Sequence, residues 1–118
     1  MSKYINIADQ VWDNAEVEGV NMDRCVLWDG RFDVFSGFFR MREGMRLPAH
    51  RHGKWVQILV LEGKMEVVLK GGRPRTVEAG GYYFVEPGDT HTETAVENTL
   101  LLVVAQLGPQ ERAEVVLP

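Results

Sequence analysis

The chain has 118 residues, 45% of them hydrophobic and 25% charged, with a formal net charge of −4. These values describe one ordinary globular domain, able to bury roughly two thirds of the surface its unfolded chain exposes. They exclude the basic footprint expected of a protein that binds nucleic acid or an anionic membrane. The opening MSKYINIADQVW lacks the apolar stretch of a leader, and the longest apolar run, Leu100 to Ala105, falls far short of a membrane span of ~18 residues, so a cytoplasmic location is expected. Cys25 is the only cysteine, which leaves no intrachain disulfide and suits a small buried apolar residue in a strand.

Along the chain, short β-branched and aromatic runs alternate with Gly, Pro and Asp at intervals of about ten residues, and helical periodicity is hard to find. The sequence predicts an all-β fold. The first twenty residues read as an N-terminal arm with one short strand. Strands are expected at Cys25 to Trp28, Phe32 to Met41, Trp55 to Leu61, Lys64 to Lys70, Arg75 to Val77, Tyr82 to Val85, Thr92 to Val96 and Thr99 to Gln106. Glu62-Gly63 reads as the turn of a hairpin joining Trp55 to Leu61 with Lys64 to Lys70; in the return strand Met65, Val67 and Leu69 alternate with Lys64, Glu66 and Lys70, one face for the core and one for water. Gly71-Gly72 and Gly80-Gly81 read as further turns. The tail Glu111 to Pro118 offers only Val115, Val116 and Leu117 for packing, so residues 1–118 are expected to form a single domain.

All three histidines fall into one pattern: His50 and His52 as an HxH pair, and His91 in the run PGDTH. Strand residues two apart point the same way about 6.5 to 7 Å from each other, so His50 and His52 can converge on one ion from one strand. His91 follows the turn Pro87-Gly88-Asp89 and can face the pair if the sheet closes on itself. Neutral imidazoles suit first-row divalent ions, and three of them leave coordination positions open for water, oxygen or substrate.

The segment GMRLPAHRHGKWVQILVLEG, Gly44 to Gly63, resembles the first cupin motif, and GGYYFVEPGDTH, Gly80 to His91, resembles the second. The resemblance implies a double-stranded β-helix, or jelly-roll, barrel holding one divalent transition metal per chain. Most cupins add a glutamate to three histidines. Counting back from Gly63 puts Val56 in that position, whereas counting forward from His52 in the longer-loop spacing puts Gln57 there. Strand alternation places the two on opposite faces, with Val56 favoured inward and Gln57 outward, although Gln57 stays a candidate fourth ligand. In the second motif Ala95 stands where an asparagine is usual.

A three-histidine cupin with this VLEG turn and EPGxTHT-like second motif is similar to the acetylacetone-cleaving and 2,4'-dihydroxyacetophenone dioxygenases. That similarity implies non-haem Fe(II), O2 and cleavage of a carbon-carbon bond beside a carbonyl, with His50, His52 and His91 as iron ligands and Glu86 as their supporting carboxylate. Three neutral ligands would leave the ion its full positive charge, favouring an enolate or bidentate dicarbonyl. Glu93, two residues beyond His91, is a candidate acid or base in the cavity. Arg40 and Arg42 could each reach an acidic substrate, against the alternative of solvated arginines at a strand end. Phe38, Phe39, Tyr82, Tyr83 and Phe84 are expected to wall the barrel, and Trp55 or Gln57 to line its mouth. Alternatives are a non-oxidative isomerase or lyase using Ni, Zn or Mn, Cu being a further candidate ion, or a metal- or small-molecule-binding module without catalysis. A homodimer is expected, paired through an edge strand and the N-terminal arm.

Overall fold

The computed structural model describes residues 2–107. Ten strands follow in chain order: β1 (Asp13–Val17), β2 (Val20–Asp29), β3 (Val34–Met41), β4 (Arg46–Arg51), β5 (Val56–Glu62), β6 (Lys64–Leu69), β7 (Arg75–Glu78), β8 (Tyr82–Val85), β9 (Thr90–Ala95) and β10 (Thr99–Gln106). Short 3-10 turns at Ile7–Asp9 and Arg31–Asp33 are the remaining regular elements among the described residues, and none of these is long and apolar enough to cross a membrane. The tail Glu111 to Pro118 lies outside the described residues.

The strands form two antiparallel sheets, one of six in the order β1-β2-β3-β10-β5-β8 and one of four in the order β4-β9-β6-β7. Two sheets packed face to face, with several strand partners that are distant in sequence, such as β3 with β10 and β4 with β9, make the jelly-roll expected from the sequence. Met22, Met41, Val56, Ile58, Val60 and Leu101 of the larger sheet meet Leu47, Met65 and Ala95 of the smaller one in a single buried cluster. Val60, Met65 and Ala95 are wholly enclosed. Period-two burial along β5, where Val56, Ile58 and Val60 are buried between half-exposed neighbours, follows from the pleat. Cys25 is buried in β2.

The hairpin expected at Glu62-Gly63 is not formed. β5 pairs with β10 and β8, whereas β6 pairs with β9 and β7. The chain turns at Gly63 and passes from one sheet to the other, a corner rather than a hairpin. The alternation of Met65 and Val67 reports which face of β6 is buried and is silent on which strand lies beside it. Thr99, itself buried, clamps the corner: its Oγ1 accepts from the Lys64 N–H and donates to a neighbouring carbonyl, Lys64 O (3.1 Å) or Glu97 O (2.9 Å).

The N-terminal arm folds back on the outer face of β3. Trp12 stacks on Phe38 with ring centroids 6.4 Å apart, and the Arg40 guanidinium lies 3.8 Å from the Trp12 ring centroid. β1 then turns into β2 through Glu18-Gly19, with φ of 50° and 81°. Left-handed backbone at both positions is the two-residue hairpin turn that matches strand twist.

Gly63 has φ of 87°, and a Cβ there would collide with the Asn98 carbonyl oxygen and lie 2.6 Å from Thr99 Oγ1. Gly63→Ala is expected to destabilise the protein by at least about 2 kcal/mol, combining left-handed strain with the collision. Gly80→Ala, at φ of 88° with open space around its Cβ, should cost only about 1 kcal/mol. Urea unfolding of the two variants checks the difference; equal midpoints would show that the corner is not tightly packed.

Candidate metal centre

His50 and His91 are cross-strand partners in β4 and β9. The β4–β9 ladder shifts register between Leu47 and His50, so that Leu47 opposes Glu93 while His50 opposes His91. Three residue steps on β4 therefore match two on β9, which is a β-bulge at Pro48-Ala49. Without it Leu47 and His50, an odd number apart, would face opposite sides of the sheet; with it both are buried. Proline is tolerated in a bulge because no ladder donor is needed there. His52, just beyond the end of β4, keeps the facing of His50, and their ring centroids are 4.9 Å apart.

The three imidazoles thus converge, with one ligand nitrogen from each lying within 4.8 Å of the others. His50 Nδ1 is 2.7 Å from the Pro48 carbonyl oxygen and donates its hydrogen to it. That contact leaves the Nε2 lone pair of neutral His50 pointing inward, the tautomer a metal ligand requires. His50 Nε2 and His91 Nε2 are 2.9 Å apart. Neutral imidazole nitrogens converging from two strands in a buried site suit a divalent first-row ion.

Between the rings stands Glu93. Its carboxylate is buried; Oε1 is 3.4 Å from His50 Nε2 and 3.3 Å from His91 Nε2, and Oε2 accepts a short hydrogen bond from the Tyr83 hydroxyl. Burial disfavours the Glu93 anion, but the hydrogen bond from His50, the charge of His91 and the Tyr83 hydroxyl outweigh it, so its pKa lies below the ordinary carboxylate value. Burial likewise disfavours charge on His50, yet Glu93 and the Pro48 carbonyl raise its pKa above the ordinary 6.5. His91 is shifted the other way, by burial and by its two histidine neighbours. Tyr83 is pushed well above its ordinary value of 10.0 by burial and by the adjacent carboxylate, so its hydroxyl remains a donor.

The other sequence candidates lie elsewhere. Gln57, a candidate fourth ligand, points outward from β5, where its Oε1 accepts a 2.7 Å hydrogen bond from the Tyr82 hydroxyl; Val56 faces the histidines from the inner side. Alternation along β5 enforces this, because its buried positions are Val56, Ile58 and Val60. Glu86 is exposed in the turn after β8, one residue past the inward-facing Val85. Arg40 is exposed over Trp12, and with Arg42, Asp23 and Glu62 it lines a surface groove of about 530 Å³ that contains no histidine. Phe39 faces the inner cavity, whereas Phe38 packs on Trp12, and Tyr82 and Phe84 are exposed on the outer face, Phe84 stacked on Trp55. The contribution of Tyr83 beyond walling the barrel went unread in the sequence; its parity with Val85 in β8 was the available signal.

Beside His50, His52 and Glu93 is a cavity of about 90 Å³ whose remaining walls are apolar, including Val17, Phe39, Met41, Val56, Ile58 and Leu101. Val17 comes from the end of β1, so the β1–β2 turn helps to enclose it.

A jelly-roll with a convergent imidazole cluster inside it defines a cupin with a site that could hold a metal ion. Residues 1–110 match the model of the ChrR cupin-like domain, and the chain belongs to that family. Among solved structures it is similar to a predicted oxalate decarboxylase from Thermotoga maritima (15% identity, TM-score 0.78, covering 90% of this chain and 100% of that one). It is also similar to an RmlC-like cupin from Shewanella frigidimarina (17%, 0.75, covering 93% and 96%) and to KdgF from Halomonas sp. (19%, 0.75, covering 92% and 98%). At these identities the likeness establishes the fold alone. No protein of curated function matches the sequence.

A proton on His50 occupies the nitrogen a metal would use, so binding must release it. Metal affinity is expected to fall as pH is lowered through the His50 range, and because that pKa is raised the fall should begin above pH 6.5. Competition titrations of Zn(II) or Co(II) against a chelator across pH check this; an affinity unchanged down to pH 6.5 would contradict it.

Proposed function

We propose that this cupin is a non-haem Fe(II) dioxygenase that cleaves a carbon-carbon bond of a small β-diketone or hydroxy-ketone. The observation that carries the proposal is the placement of His50, His52 and Glu93 against a small cavity whose other walls are apolar. At about 90 Å³ the cavity is well below the ~300–1,000 Å³ of pockets for drug-sized ligands, which favours a substrate of few heavy atoms. An iron held by the histidines would supply Lewis-acid polarisation of a carbonyl and one-electron chemistry toward O2.

The chain's own residues have distinct parts in this scheme. His50, fixed by the Pro48 carbonyl, together with His91 and His52 would hold the ion through ring nitrogens. Phe39, Val56, Ile58 and Leu101 hold the hydrocarbon portion of the substrate and keep bulk water from the reacting carbonyl. Dioxygen, itself apolar, partitions favourably into such a wall. One O2 is consumed for each bond cleaved, and each of the two carbonyl products carries one of its oxygen atoms. Arg40 and Glu86 have no part in the scheme, because both are exposed outside this cavity.

A second reading, a metal-holding module without catalysis, is favoured by the near enclosure of the cluster, in which His50 and His91 are both buried. Oxygen uptake separates the two. Protein loaded anaerobically with one Fe(II) per chain is expected to consume O2 one-to-one with a short β-diketone or hydroxyacetophenone. His91→Ala is expected to reduce the rate at least about 100-fold. Stoichiometric zinc in the purified protein, with no O2 uptake after iron loading across such a panel, would overturn the dioxygenase reading.

A further inference from the structure

The Glu93 carboxylate is placed as a ligand is placed. His50 Nε2, His91 Nε2 and Glu93 Oε1 form a triangle with edges of 2.9, 3.3 and 3.4 Å. Adjacent donor atoms that share a first-row divalent ion at about 2.0–2.2 Å lie about 2.8–3.6 Å from one another, by the geometry of an octahedron or tetrahedron. All three observed edges fall within that interval. Two imidazoles and a carboxylate brought this close form one face of a coordination polyhedron.

We propose that Glu93 is the fourth protein ligand of the metal, bound through Oε1 alone, and that Tyr83 is the positioning residue that holds it in this mode. The Tyr83 hydroxyl donates to Oε2, the oxygen turned away from the histidines. A carboxylate with one oxygen so engaged presents the other as a single donor. Chelation by both oxygens would require breaking a buried hydrogen bond. Val56, on the opposite sheet, lines the same cavity and offers no donor. The carboxylate thus enters from β9, on the same strand as His91 and two residues beyond it.

Two consequences follow for the chemistry. A divalent ion in this site retains one net positive charge rather than two, which weakens its pull on an anionic enolate and leaves two positions open in an octahedral set. Glu93, engaged at both oxygens, is removed from the role of a free general base. The proposal rests on the histidines being a metal site and is independent of which reaction that site performs.

The test uses Co(II) as probe metal on the full chain, reading affinity by chelator competition and coordination by visible absorption. The wild type is expected to bind one Co(II). Glu93→Gln should weaken binding at least about 100-fold and change the visible spectrum, and Tyr83→Phe should weaken it about 10- to 100-fold, with a spectrum shifted toward higher coordination as Oε2 is released. A folded Glu93→Gln protein that binds Co(II) within threefold of wild type, with the same spectrum, would overturn the proposal while leaving the metal site standing. If Glu93→Gln does not fold, Tyr83→Phe decides: unchanged affinity and spectrum would overturn it. A wild type that binds no Co(II) would remove the metal reading and this proposal together.

Discussion

A buried carboxylate sets the terms for the interior of this protein. Glu93 is 4% exposed, and an ionised carboxylate at that depth costs several kcal/mol unless partners surround it. Its partners come from three strands and both sheets: His50 from β4, His91 from β9 and Tyr83 from β8. The two sheets must therefore close at a fixed distance for the charge to be satisfied. The polar group that would be a liability in an apolar core becomes a constraint on how the barrel packs.

Closure alone does not aim the ligands. The bulge at Pro48-Ala49 gives β4 one extra residue against β9, and that residue brings His50 to the same side as Leu47. The same local distortion turns the Pro48 carbonyl toward His50 Nδ1. One irregularity thus sets both the direction of the ring and the tautomer that leaves its other nitrogen free to ligate. Bulges beside functional sites commonly re-aim a side chain, and here the second effect follows from the first.

The cupin frame is that of the family, and inside it the histidines stand beside a largely apolar cavity. Val56, Ile58, Phe39 and Leu101 leave little polar surface in the cavity beyond the histidines and Glu93. Val56 offers no donor to this cavity, whereas the Glu93 carboxylate stands 3.3 and 3.4 Å from two of the nitrogens. Val56 on one sheet and Glu93 on the other line the same cavity, a relation that depends on how the sheets pack.

Much of the fold was legible because a pleated strand writes its burial into every second residue. Turn residues then mark where each strand stops, so β5, β6, β8 and β10 were found within a residue or so of their ends. The HxH spacing and its glycine frame were local too, and they brought out the three histidines. Partnership was not local. The strand after Gly63 belongs to the other sheet because long-range pairing with β9 and β7 outweighs proximity in sequence. Glu93 and Tyr83 are ten residues apart, on strands of different sheets, and only the packed barrel brings the hydroxyl to the carboxylate. The sequence by itself determined the class of fold and picked out the three histidines that could hold a metal ion, since both follow from short-range patterns. The tertiary structure decided that Glu93 and Tyr83 stand beside the histidines while Arg40, Glu86 and Gln57 lie elsewhere, because that depends on strand register, a bulge and the cost of burying charge.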